Sequence, residues 1–580
     1  MALLLGFLFD ENFGLIGVIA INLALILFAS YQEKLSVVVP MTLGSFLSIQ
    51  FFFAEPKFSF AMDGMETWLV MIAYASSALI ISLVFNQRGK KYNNLLTLKN
   101  RFFSYLIALI LFTLINWLSK KFHNPSIEQF IFHFEYSDKL FDEFDKSLFR
   151  SFFKNVILVP LGASILIVIL EDKLRKIYFE NAENQKNKLL KILNFLLVKR
   201  IPIYLVLLSF AIAFINFGVQ NYIDTKENNR FIEKNYIDPK KIEIKAVAPK
   251  NLVLIYVESL EKAYSDEKLF GRNLLQSLDK IPSFQFDQYV QVPGTGWTIA
   301  AIVSTQCAIP LKPIALPDIN MQGSSIRKFL PNVTCLGDIL NRHGYQNVFL
   351  GGAPEAFSGK GKFLKEHGYQ KVVGKDEWLN SGKYHQEDMS SWGLHDDDLF
   401  KEAKLELDRL EEQKDHFNLT LLTLDTHFPN GHMSATCRAR GGNTFQDVVE
   451  CSAQEITNFI EYAKNKGYLK NTSIVVLGDH LTMTNAVDEQ LKKSPNRYIF
   501  NKWISNAEFY RNRSGIVHFA IAPTILEFIG FDVQGLRIGL GHSAVYDLKN
   551  FDQKEWVKEL FDNLIYSSDY YNHFWLDKKQ

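Results

Sequence analysis

Asn251-Leu252-Val253-Leu254-Ile255-Tyr256-Val257-Glu258-Ser259 is a nearly unbroken apolar run that ends abruptly in a carboxylate and a hydroxyl. A strand wetted on one face alternates apolar and polar residues, so a continuous run reads as a strand covered on both faces, as in a mainly parallel sheet. The pattern recurs. Asn347 to Leu350 runs into Gly351-Gly352, Leu419 to Leu424 into Asp425-Thr426-His427, and Ser473 to Leu477 into Gly478-Asp479-His480. Helical patterns such as Gln446 to Lys466 lie between them. Strands alternating with helices predict an α/β domain whose ligands gather beyond the carboxyl ends of the strands.

Upstream, the composition changes. A chain of 580 residues exceeds one core, and its 48% hydrophobic content is concentrated in the first part. Six segments are apolar and long enough to cross a bilayer: Phe13 to Ser30, Ser36 to Ala54, Thr67 to Asn86, Phe102 to Ser119, Phe152 to Leu170 and Pro202 to Val219. No basic stretch precedes the first, and the segments recur, which excludes a signal peptide as their explanation. The expected organisation is an N-terminal transmembrane helical bundle over 1–219, a polar connector over 220–250 and an exported domain over 251–580. Basic residues crowd the loops after the third and fifth segments, including Arg88, Lys90, Lys91, Lys173, Arg175 and Lys176. Those loops are therefore expected in the cytoplasm, with the N-terminus and the large domain outside. Lys120 to Arg150, with Phe130, Phe132, Phe134, Phe141, Phe144 and Phe149, reads equally as a helix on the membrane face or one packed on protein.

With 63 basic and 62 acidic side chains there is no global charge for nucleic acid to recognise. All four cysteines, Cys307, Cys335, Cys437 and Cys451, follow the last apolar segment, as in a domain exported to an oxidising compartment. Cys307 with Cys335 and Cys437 with Cys451 is the simplest of three pairings; four buried free thiols are the alternative. None has the spacing of a zinc or redox CxxC site.

Pro293-Gly294-Thr295-Gly296-Trp297-Thr298 is a glycine-broken turn before the apolar helix start Ile299 to Val303. It puts Thr298 near a helix N-terminus, where orphan N–H groups favour phosphate. Glu258, Asp425, His427, Asp479 and His480 end three separate strands and are expected to converge on one sheet edge. Carboxylates and an imidazole beside a threonine suit a divalent metal, which would help a poorly nucleophilic hydroxyl.

Glu258-Ser259, Gly294 to Ala300, Ser304 to Cys307, Ile309-Pro310, Thr426 to Pro429 and Gly478 to His480, in this order behind apolar segments, resemble the phosphoglycerol transferase I and lipoteichoic acid synthase-like group of the alkaline phosphatase and sulfatase superfamily. Gly359 to Phe363, Trp392 to Leu394 and Asp396 to Asp398 resemble the phosphoglycerol transferase I type in particular. The resemblance implies a sulfatase-like fold, with Thr298 as nucleophile and metal ligand and Glu258, Asp479 and His480 as the other ligands. It implies manganese first, with magnesium or zinc as alternatives. It further implies His427 as a contact to the phosphoglycerol group, with Phe357 and Lys360 or Lys362 standing where lipoteichoic acid synthases carry a tryptophan and an arginine. His395 and His432 read as surface histidines, with site roles as the alternative. The implied donor is phosphatidylglycerol and the acceptor an envelope glycan or a polyglycerophosphate, at the bacterial inner membrane with the catalytic domain outside. A phosphoethanolamine transferase and a non-catalytic glycan-binding scaffold are the competing readings.

Overall fold

The computed structural model describes residues 98–122, 150–179, 205–209, 228–312, 328–483, 485–545 and 551–576. Its contacts divide the chain into two compact units, 1–115 with 153–213, and 116–152 with 214–580. Of the six expected spans, the first three lie outside the described residues, as does the aromatic-rich stretch from 123 to 149. The fourth falls on the helix Leu98–Phe122. The fifth falls on Arg150–Leu170, which is long and apolar enough to cross a membrane. Only 205–209 of the sixth is described, and it is helical.

The second unit contains the α/β domain. Six strands form its central sheet: β1 (Asn251–Val257), β2 (Gln346–Gly351), β3 (Lys371–Val373), β4 (Phe417–Leu422), β5 (Thr472–Gly478) and β6 (Asn501–Ile504). Their spatial order is β3-β2-β4-β1-β5-β6. All neighbours are parallel except β5 and β6, which pair antiparallel with Val476 opposite Lys502. Every residue of β1 is buried. Alternation along the strand sends Leu252, Leu254 and Tyr256 into one core and Val253, Ile255 and Val257 into the other. The first core is closed by the helices Thr298–Cys307, Leu336–Arg342 and Ile521–Phe528, the second by Asp396–Gln413 and Phe445–Asn465. Two apolar layers thus explain why β1 carries no polar face.

Two features go beyond what the sequence led us to expect. Within the expected connector, residues 228–250 pack on the domain: Phe231 and Ile232 are buried, the Phe231 ring lies 5.5 Å from Trp556, and Ile244–Ala246 pairs antiparallel with Phe531–Val533. Its polar sequence hides a short apolar anchor that docks onto the end of the chain. The antiparallel β6 is the other addition, since its Asn501-Lys502-Trp503-Ile504 lacks a long apolar run. Both disulfides form in the simplest pairing, Cys307–Cys335 and Cys437–Cys451.

Candidate active site

The site grows from the parallel register of β1 and β5. Val257 lies opposite Gly478, so the next residues, Glu258 and Asp479, emerge side by side. Gly478 is required there: a Cβ would lie 2.1 Å from the carbonyl oxygen of Leu260. Ser259 then turns the chain in the left-handed region, with φ of 52°. Its Oγ donates to Glu258 Oε1 and its backbone N–H to Asp479 Oδ1, both at 2.7 Å. The main chain of Glu258 is held from the β4 side, where Thr423 Oγ1 accepts its N–H at 3.0 Å and Thr426 Oγ1 donates to its carbonyl.

Thr298 arrives on a separate element. Gly294 has φ of 81°, and a Cβ on it would lie 2.6 Å from Pro310 Cβ; its carbonyl instead accepts the Leu311 N–H at 3.0 Å. That packed turn delivers Thr298 as the first residue of the helix Thr298–Cys307. Thr298 Oγ1 donates to Glu258 Oε2 at 3.2 Å and lies 3.5 Å from His480 Nε2. His480 Nδ1 is 2.8 Å from the Leu481 carbonyl, to which it must donate, so the neutral ring turns the Nε2 lone pair inward.

Glu258, Asp479 and His480 are all buried and offer ligand atoms within 4.8 Å of one another. Asp479 Oδ2 is buried with no hydrogen-bond partner, 3.6 Å from His480 Nε2. Burial and the neighbouring Glu258 carboxylate push Asp479 up to about 7. Burial also opposes ionisation of Glu258, but His427, His480, Ser259 and Thr298 hold it below the ordinary range. Burial pulls His480 down, and the carboxylates of Asp479 and Glu258 outweigh it and raise it. Two buried carboxylates, one orphaned oxygen and one inward lone pair fit a divalent cation.

Behind Asp479, the His518 Nε2–H donates to its carbonyl at 2.7 Å. Sequence reasoning missed this support, because His518 stands in an apolar segment with no motif around it.

The remaining candidates distribute less evenly. His427 donates from Nδ1 to the Phe428 carbonyl at 2.8 Å and its charge acts on Glu258. Its ring lies 4.4 Å from Trp392, whose other neighbour is Phe357 at 5.2 Å. Phe357 thus connects to His427 through Trp392, which the sequence had not marked as a site residue. The signal was in Gly393, where a Cβ would lie 2.0 Å from the Gly352 carbonyl and would prevent that loop from docking at the end of β2. Lys360 is buried at the start of the helix Lys360–Glu366, and Lys362 pairs on the surface with Glu366 at 3.2 Å. Asp425 does not join the metal-ligand cluster. It accepts from His395 Nδ1 at 2.7 Å and from the Asp396 N–H at 3.1 Å, which makes both residues braces of the loop after β4. His432 stacks 6.3 Å from His427. The trio Cys335, Asp338 and His367 has ligand-like spacing, but Cys335 is committed to its disulfide.

Residues 250–501 match the Sulfatase family profile, and residues 1–96 match one described as a domain of unknown function, DUF4118. Curated phosphoglycerol transferase I proteins of Escherichia fergusonii and Citrobacter koseri are each 38% identical over 258 residues, 43% of this chain. The match spans 33% of the length of each of those relatives. An alkaline phosphatase superfamily protein from Vibrio parahaemolyticus has a TM-score of 0.42 at 17% identity, covering 62% of this chain and 98% of its own. For the lipoteichoic acid synthase LtaP of Listeria monocytogenes the values are 0.39 and 18%, with 52% and 79% covered. Residues 250–501 thus match the sulfatase family profile and, over 258 residues, the chain is similar to curated phosphoglycerol transferase I proteins.

Proposed function

We propose that the protein is a membrane-anchored phosphoglycerol transferase, moving glycerophosphate from phosphatidylglycerol to a hydroxyl of a cell-envelope glycan or polymer. The observation that carries this reading is the position of Thr298 Oγ1, at a helix N-terminus and 3.2 Å from Glu258 Oε2, beside the orphaned Asp479 Oδ2. Glu258, Asp479 and His480, with Thr298, would hold a divalent metal, manganese by the resemblance. Such an ion supplies Lewis-acid charge stabilisation to a phosphoryl group.

The chain's own residues do the rest. Thr298 Oγ1 attacks the phosphorus of the donor, its proton passing toward Glu258 Oε2, to which it already donates. The bond from phosphorus to the diacylglycerol oxygen breaks, and diacylglycerol leaves with a proton. Glycerophosphoryl-threonine remains, and an acceptor hydroxyl displaces Thr298 Oγ1 in the second step, losing its proton as the threonine regains one. The open N–H groups at the start of the Thr298–Cys307 helix face the phosphoryl oxygens. His427, with Trp392 and Phe357 beside it, lines the approach for the glycerol headgroup. The apolar segments of the first 219 residues would keep the domain at its lipid donor, outside the cytoplasmic membrane.

Intact-mass measurement of the full-length protein in mixed micelles, with manganese and phosphatidylglycerol, tests the reading. A glycerophosphoryl adduct on the wild type, absent from Thr298→Ala, is expected, together with diacylglycerol release. An adduct from phosphatidylethanolamine alone would make the protein a phosphoethanolamine transferase. Neither adduct nor diacylglycerol from either lipid would overturn transfer altogether.

A further inference from the structure

On the antiparallel edge of the sheet, away from the ends of β1 and β5 that build the metal-fitting cluster, Lys502 is only 1% exposed. It sits in the middle of β6, opposite Val476. Lysine is almost never this buried without a partner. Among the described residues its ammonium has neither a hydrogen-bond acceptor nor an ion-pair partner. The charge that acts on it most is Asp279, whose Oδ2 is engaged by Asn273 Nδ2 at 2.8 Å. Burial outweighs Asp279 and lowers the Lys502 pKa.

Lys502 lines an open surface pocket of about 690 Å³ bordered by Asp279, Lys280, Asp287, Tyr510 and Arg511, among others. Asp287 is already neutralised, since Arg511 pairs with its Oδ2 at 3.0 Å. Lys502 and Lys280 are left facing Asp279, a local excess of positive charge in a polar space. A buried ammonium with no directly paired counter-ion is costly, and an anion entering this pocket would relieve that cost. Tyr510, 77% exposed and hydrogen-bonded through its hydroxyl to Glu508 Oε2 at 3.3 Å, also lines it and offers an aromatic face of the kind that covers a sugar ring.

We infer that this cavity is an oxyanion-binding site in which Lys502 receives the phosphate of a sugar or polyol phosphate ester and Tyr510 covers its organic part. The site does not depend on the transferase chemistry. It uses none of the residues that surround Thr298, and it holds its ligand without reacting with it.

The test is calorimetric titration of the full-length protein in detergent, carrying Thr298→Ala and stripped with a chelator so that the metal-fitting cluster retains no phosphate. Inorganic phosphate is expected to bind at one site per chain, and glucose 6-phosphate at least threefold more tightly. Lys502→Met is expected to weaken both at least tenfold, and Tyr510→Ala to erase the preference for the ester. Lys280→Glu, at an exposed rim position, is expected to weaken both severalfold even if Lys502→Met fails to fold. Absence of phosphate binding, or binding indifferent to Lys280→Glu and Lys502→Met, would mean an ammonium solvated only by water and would overturn the site. Equal affinity for phosphate and ester, unmoved by Tyr510→Ala, would overturn the role of Tyr510.

Discussion

The backbone N–H of Ser259 donates to Asp479 Oδ1 at 2.7 Å, joining the end of one central strand to a side chain at the end of its neighbour. The same residue's hydroxyl holds Glu258. One serine therefore fixes the spacing of two carboxylates that would otherwise repel each other in a buried space.

Ser259→Ala keeps the backbone bond to Asp479 and removes only the hydroxyl that orients Glu258. Metal affinity, read by titrating manganese into chelator-stripped protein, is expected to fall roughly 10- to 100-fold, the usual effect of losing a hydrogen bond behind a ligand. Unchanged affinity would show that Glu258 needs no such orientation.

Thr298→Ala removes the attacking oxygen but none of the buried apolar contacts of its helix. Diacylglycerol release from phosphatidylglycerol is expected to drop on the order of 10³-fold or more, with the melting temperature essentially unmoved. Thr298→Ser, which keeps a hydroxyl at that position, is expected to retain measurable turnover. A Thr298→Ala protein that still releases diacylglycerol would remove the covalent step.

Trp392 packs on His427 with ring centroids 4.4 Å apart. An aromatic pair of this kind contributes about 0.5–1.5 kcal/mol, so Trp392→Ala is expected to raise KM for the lipid donor by roughly 2- to 12-fold. Trp392→Phe should recover most of that loss. Steady-state assays in which kcat alone fell would place Trp392 outside headgroup binding.

Glu527 is buried against Ser543, and burial pushes its carboxyl from the ordinary 4.5 up to about 7. Its folded pKa lies above the unfolded value, so the stabilisation is complete below about 4.5 and is lost as pH rises through 7. Glu527→Gln is expected to flatten that dependence. Between pH 5 and pH 8 the wild type should lose roughly 5 °C more in melting temperature than the variant. Parallel curves for the two proteins would contradict the assignment.

What the sequence made legible followed from burial. Leu252 to Val257 and Ile474 to Leu477 are apolar without interruption because helices cover both faces, and residues directly after such strands project into the cleft at the sheet edge. That logic anticipated the clustering of Glu258, Asp479 and His480, whose ligand atoms lie within 4.8 Å of one another. It overreached at Asp425, which occupies the same position after β4 but is turned aside by His395 and the Asp396 backbone. Local pattern gave only an indirect signal for Trp392, in the neighbouring Gly393, because its meeting with Phe357 and His427 depends on a loop docking against Gly352, at the end of another strand. For the same reason the anchor at Phe231 was invisible: its partner, Trp556, is more than three hundred positions away.

The helix that begins at Thr298 ends at Cys307, and Cys307 is bonded to Cys335, the residue just before the helix Leu336–Arg342. At about 1.5 Å per residue, the tie lies roughly 14 Å behind the hydroxyl. The helix acts as a stiff rod clamped at its rear, with the Gly294 turn as the collar at its front, so axial sliding is blocked at both ends. In the proposed mechanism, aim at the reacting phosphorus would thus be set from the far end of the rod, and oxidation of the two thiols is what tightens the clamp.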